Sequence, residues 1–61
     1  NILADIIVAL PLDSYLKKEG ILILSGILEK YTNKVLDKFK NLELLTQNNY
    51  EEWVTLTFKK I

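Results

Sequence analysis

The sequence predicts an α/β fold, with elements in the order helix, strand, helix, strand, strand. Three observations predict it. Leu28, Tyr31, Val35, Leu36 and Phe39 form one apolar stripe at helical spacing, while Glu29, Lys30, Asn33, Lys34, Asp37 and Lys38 fall mostly on the other side. Ile21-Leu22-Ile23-Leu24 is an unbroken apolar run, as in a strand covered on both faces by helices. Trp53 to Phe58 alternates, with Val54, Leu56 and Phe58 on one face and Trp53, Thr55 and Thr57 on the other.

The remaining elements follow from local signals. Leu3, Ile6, Ile7 and Leu10 have helical spacing, and Asp5 near the start favours the positive end of the helix dipole. Pro11 then interrupts this helix or opens a second turn, capped by Asp13 or Ser14. Lys17-Lys18-Glu19-Gly20 is a helix-stop signal, with Gly20 expected in the left-handed exit. Ser25-Gly26 is expected to end the first strand and cap the next helix, which Asn41 breaks. Leu42 to Thr46 is a short strand candidate, and Gln47-Asn48-Asn49 the expected turn before an antiparallel final strand.

Composition narrows the function classes. The 61 residues permit one small domain. A chain of this size buries only about 60% of the surface its unfolded form exposes. With no Cys and no His, a disulfide, a zinc site and a His-based catalytic set are excluded. Yet 49% of the residues are hydrophobic, more than a few short layers can hide. That excess, and a start at Asn1 without Met, are what a segment of a longer chain would show. Eight lysines balance eight acids and there is no Arg, so no direct nucleic-acid binding is expected. No apolar stretch approaches the ~20 residues needed to cross a bilayer, and the absence of Cys suits a cytoplasmic protein.

Three segments carry a resemblance. Asn1-Ile2-Leu3-Ala4-Asp5, Leu22-Ile23-Leu24-Ser25-Gly26-Ile27-Leu28 and Glu52-Trp53-Val54 occur in that order, separated by matching elements. Together they resemble the C-terminal half of the catalytic domain of the ribosomal protein L11 methyltransferase family, over essentially all of residues 1–61. The chain departs from the family pattern in a shorter region around Pro11, and in Glu51 where a Gly commonly stands.

The resemblance implies part of a class I, Rossmann-like methyltransferase sheet, with the last strand antiparallel between the fifth and sixth. It implies S-adenosylmethionine as cofactor and, as substrate, amino groups (lysine side chains and an α-amine) of a large-subunit ribosomal protein. The Gly-rich cofactor turn, the ribose-binding acid and the substrate-recognition domain would then belong to a missing N-terminal part. A fragment of this kind is expected to be inactive alone and to self-associate. The alternative is a non-catalytic small α/β interaction module whose excess apolar surface binds another chain.

Asn1 is the candidate cofactor-binding residue, because the matching Asn of the family contacts S-adenosylmethionine; read from the residues alone, it is a helix cap. Ile2 and Leu3 are either walls of a substrate channel or ordinary helix packing. Ser25 is read as a cap, since no His is present to activate it. Trp53 either borders a substrate groove or packs as a buried aromatic. Glu51 and Glu52, as neighbours on a strand, would point to opposite faces and could not converge on one bond. No catalytic side chain and no metal ligand is expected. Methyl transfer from a sulfonium to an amine mainly requires positioning, so the lack of His and Cys is no obstacle.

Overall fold

A computed structural model describes residues 2–61, with the side chains of Ile2 and Leu3 outside the description. Helix α1 spans Ile2–Ala9 and is followed by a 3-10 turn at Leu12–Tyr15. Strand β1 runs Ile21–Leu28, a second 3-10 turn covers Glu29–Tyr31, and helix α2 spans Thr32–Lys38. Strands β2 (Glu43–Tyr50) and β3 (Trp53–Lys59) complete the chain. The expected order of elements therefore stands. The sheet has the order β1-β3-β2, with β3 antiparallel to both neighbours.

Both helices lie on one face of this sheet. Ala4 and Ile7 from α1, with Val35 of α2 and Phe39 at its C-terminal cap, join Leu24, Ile27, Leu42, Val54, Leu56 and Phe58 in a single buried cluster. The Phe39 and Phe58 rings meet tilted, centroids 5.5 Å apart, at the centre of it. The alternation expected of β3 is observed: Val54, Leu56 and Phe58 are buried, and the residues between them are not.

The other face of the sheet is bare, which corrects the expectation of a strand covered on both sides. Ile23 is 64% exposed and Ile21 nearly half exposed, while Leu24 and Ile27 on the same strand are buried. The molecule is only 14 Å through its thinnest dimension, room for one helix layer and one sheet. The outer edge of β1 also has no strand beside it among the described residues.

Two further corrections concern the strand ends. Ser25-Gly26 neither ends β1 nor caps a helix. It forms a β-bulge, in which the register passes from Leu24↔Leu56 to Ile27↔Val54, with Gly26 at φ 74°. The bulge is why Leu24 and Ile27, three apart, share the buried face. Helix α2 accordingly starts later than its stripe suggests, with Tyr31 at its cap position and no side-chain capping bond.

The turn before β3 is Glu51-Glu52, not Gln47-Asn48-Asn49. The three amides are strand residues paired with Leu56, Thr55 and Val54. Tyr50 pairs with Trp53, leaving a two-residue loop whose first residue, Glu51, has φ 53°. Left-handed backbone costs a side-chain-bearing residue about 1–2 kcal/mol. Glycine avoids that cost but brings about 0.5–1 kcal/mol of extra unfolded-chain freedom. Glu51→Gly is therefore expected to stabilise the chain by about 0.5–1 kcal/mol in urea titration; unchanged or lower stability would contradict it.

Glu19, not Gly20, likewise takes the left-handed exit before β1, at φ 68°. Gly20 is required by close approach: a Cβ there would lie 2.8 Å from the Lys17 carbonyl oxygen. Between Pro11 and the stop signal the chain forms the 3-10 turn Leu12–Tyr15, closed by Leu16 N–H donating to the Asp13 carbonyl, with no side-chain cap from Asp13 or Ser14 to a helix. The end of β3 holds this region in place. Glu19 N–H donates to the Lys60 carbonyl at 2.7 Å, and Lys60 N–H donates to the Gly20 carbonyl at 2.9 Å.

Candidate functional site

The candidate site lies at the carboxyl end of β1. Here β1 runs into the Glu29–Tyr31 turn beside the β2–β3 loop. Glu29 N–H donates to the Glu52 carbonyl at 2.8 Å, which fastens the two segments together. Asn49 Nδ2 donates to Glu29 Oε2 at 2.9 Å, so an amide on β2 orients that carboxylate. Leu28, Glu29, Lys30 and Glu52 line a shallow cleft of about 310 Å³ at this end. The Lys30 ammonium lies 5.3 Å from the Tyr31 ring centroid, a geometry for cation–π attraction.

Asn1 lies outside the described residues, as do the side chains of Ile2 and Leu3, although α1 begins at Ile2. Ser25 is exposed in the β1 bulge. Trp53 is 43% exposed and sits on the bare face between its register partners Leu28 and Tyr50, so it is not a buried packing residue. Glu51 and Glu52 are turn residues rather than strand neighbours, and Glu52 lines the cleft. Among the described residues, no group of three or more acidic side chains is placed to hold a metal ion. No helix among them is long and apolar enough to cross a membrane.

One contact was not legible in the sequence. Lys34 of α2 forms an ion pair and hydrogen bond with Asp5 in the first turn of α1. In the sequence the helix dipole explains Asp5 and a solvated helix face explains Lys34; only the tertiary fold brings them together. The Lys34 hydrogen bond, and then its charge, hold the Asp5 carboxyl below the usual carboxylate range. A depressed folded-state pKa contributes stability above the unfolded value. That contribution is lost as pH falls through the folded value.

Comparison with known proteins identifies the family. The family model described as Ribosomal protein L11 methyltransferase (PrmA) matches residues 1–61. A ribosomal protein L11 methyltransferase of Campylobacter lari is 50% identical over 62 residues, covering 98% of this chain and 22% of that protein. One from Campylobacter concisus is 44% identical, covering 100% of this chain and 23% of the relative. One from Campylobacter hominis is 56% identical over 52 residues, covering 80% and 16% respectively. The chain thus spans roughly a fifth of the length of these curated relatives. No solved structure matches it. A family match over every residue places it: the chain belongs to the ribosomal protein L11 methyltransferase family.

Proposed function

We propose that this chain is the C-terminal half of the catalytic domain of an S-adenosylmethionine-dependent methyltransferase. Its acceptors are amino groups, lysine side chains and an α-amine, of a large-subunit ribosomal protein. The whole-chain family match carries this reading. The fold supports it: a last strand lying antiparallel at the centre of the sheet suits the final strand of a class I methyltransferase sheet. The open edge of β1 suits a fourth strand, and the bare face suits a further helix layer, both supplied by the missing N-terminal part.

When bound, S-adenosylmethionine supplies a methyl group already activated on a sulfonium. The protein's task is to orient a neutral amine in line with it. Asn1 offers a side-chain amide, both donor and acceptor, to hold the cofactor. Ile2 and Leu3 follow it as apolar walls of the lysine channel. The enzyme acts in the cytoplasm and has no direct contact with nucleic acid or membrane.

The test is methyl transfer from labelled S-adenosylmethionine to purified large-subunit ribosomal proteins. The full-length enzyme carrying this segment is expected to label amino groups, and the isolated chain to label none. Absence of labelling by the full-length enzyme would overturn the reaction, and labelling by the isolated chain would overturn the fragment reading. The rival reading, a non-catalytic interaction module, draws on the bare apolar face and requires that no methylation occur in either form.

A further inference from the structure

We propose that residues 11–20, the connection from α1 to β1, form a strap that opens as one unit and is clasped shut by Lys60, the residue that follows β3. The hydrogen bonds carry the inference. Within the strap, Ser14 N–H donates to the Pro11 carbonyl, Leu16 N–H to the Asp13 carbonyl and Gly20 N–H to the Lys17 carbonyl. Among the described residues, every hydrogen bond from the strap to the rest of the chain ends on Lys60. Its N–H donates to the Gly20 carbonyl at 2.9 Å, and its carbonyl accepts from Glu19 N–H at 2.7 Å. Its Nζ donates to the Asp13 carbonyl at 3.2 Å. One residue thus holds both the 3-10 turn and the entry to β1.

Little else fastens the strap. None of its residues is buried. Leu12 and Leu16 pack against the core only in part, and Tyr15 is 76% exposed. Segments with few buried apolar contacts open at a small fraction of the cost of global unfolding. The closed form is also strained, because Glu19 sits at φ 68°, where a side-chain-bearing residue is disfavoured. The bonds from Glu19 and Gly20 to Lys60 hold that conformation in place. Once they break, Glu19 is free to relax, so the clasp and the left-handed turn are lost together. No member of the buried cluster lies in the strap, so opening lengthens the tether between α1 and β1 and leaves the core as it was.

The test is amide exchange, read by mass spectrometry, in the full-length enzyme carrying this segment. Lys60→Met removes only the Nζ bond and should speed exchange across residues 11–20 about threefold. Lys60→Pro also removes the N–H that bonds Gly20 and should speed it about tenfold. Glu19→Gly relieves the left-handed turn and should slow it about threefold. Protection of Val54, Leu56 and Phe58 is expected to stay at the level of the unchanged enzyme, which a general loss of stability would not allow.

Exchange in residues 11–20 that ignores all three substitutions would assign the strap to Leu12 and Leu16 and overturn the proposal. Exchange that rises only in step with that of β3 would overturn it too, by showing that the strap opens only with the sheet. Should Lys60→Pro disturb β3 itself, Lys60→Met and Glu19→Gly decide alone, since neither alters the backbone of Lys60.

Discussion

Ile23→Lys is expected to have opposite consequences in the isolated chain and in the full-length enzyme. In the isolated chain Ile23 is 64% exposed on the bare face, beside Thr57 of β3. This face, with the free edge of β1, offers apolar side chains and unpaired backbone groups that favour self-association. A lysine there places a charge on the face and edge that would pair, and should shift the chain towards monomer without disturbing the core. In the full-length enzyme the same position is expected to be covered. An unpaired ammonium there would cost on the order of several kcal/mol. Sedimentation across a wide concentration range reads the first effect, and thermal melting of the full-length enzyme reads the second. An Ile23→Lys chain that sediments like the unchanged one would show that this face does not drive assembly. A full-length variant that melts normally would show that the face stays open.

Phe58→Ala strikes the opposite face of the sheet. Phe58 is 1% exposed and contacts Phe39 at the meeting point of β3 and α2. Truncating a buried Phe costs about 3–5 kcal/mol. A 61-residue unit has little more stability than that, so the variant is expected to leave this region unfolded. Amide exchange within Trp53–Lys59 of the full-length enzyme would report it, as protection lost along the whole strand. Phe39→Ala should do the same, and the two losses should fall short of additive because the rings share one contact. Retained protection in Phe58→Ala would mean that the cluster is held chiefly by its aliphatic members.

The elements with tertiary partners inside this chain were legible in the sequence. The alternation of Trp53 to Phe58 identified the buried face of β3, and the stripe containing Val35 and Phe39 identified the face of α2. Reading failed where position in the sheet outweighed residue preference. Gln47, Asn48 and Asn49 favour turns, yet they lie on an edge strand because the pairing of Tyr50 with Trp53 moves the loop to two glutamates. Gly20 looked like the left-handed residue, but Glu19 takes that conformation and Gly20 answers a steric need set by Lys17. The unbroken Ile21–Leu24 run predicts cover on both faces, and in this chain only one side has it. The resemblance suggests Asn1, Ile2 and Leu3 as site residues, and Asn1 and the side chains of Ile2 and Leu3 lie outside the described structure. The Asp5–Lys34 pair was invisible because its partners lie far apart in sequence and each has an ordinary local explanation.

The central place of β3 has a consequence for how the chain is made. Both neighbours of β3 precede it in sequence, and neither pairs with the other. While the polypeptide is synthesised from its N-terminus, β2 and the β3-facing edge of β1 find no partner in this chain until Trp53–Lys59 has left the ribosome. The two-residue loop lets β2 and β3 close as a local hairpin on the microsecond scale. Only then can β1 dock, across a much longer stretch of chain and at a correspondingly larger entropic cost. Until it does, the edge of Ile21–Leu28 that faces β3 stays unpaired, so the sheet closes only when the last strand is in place.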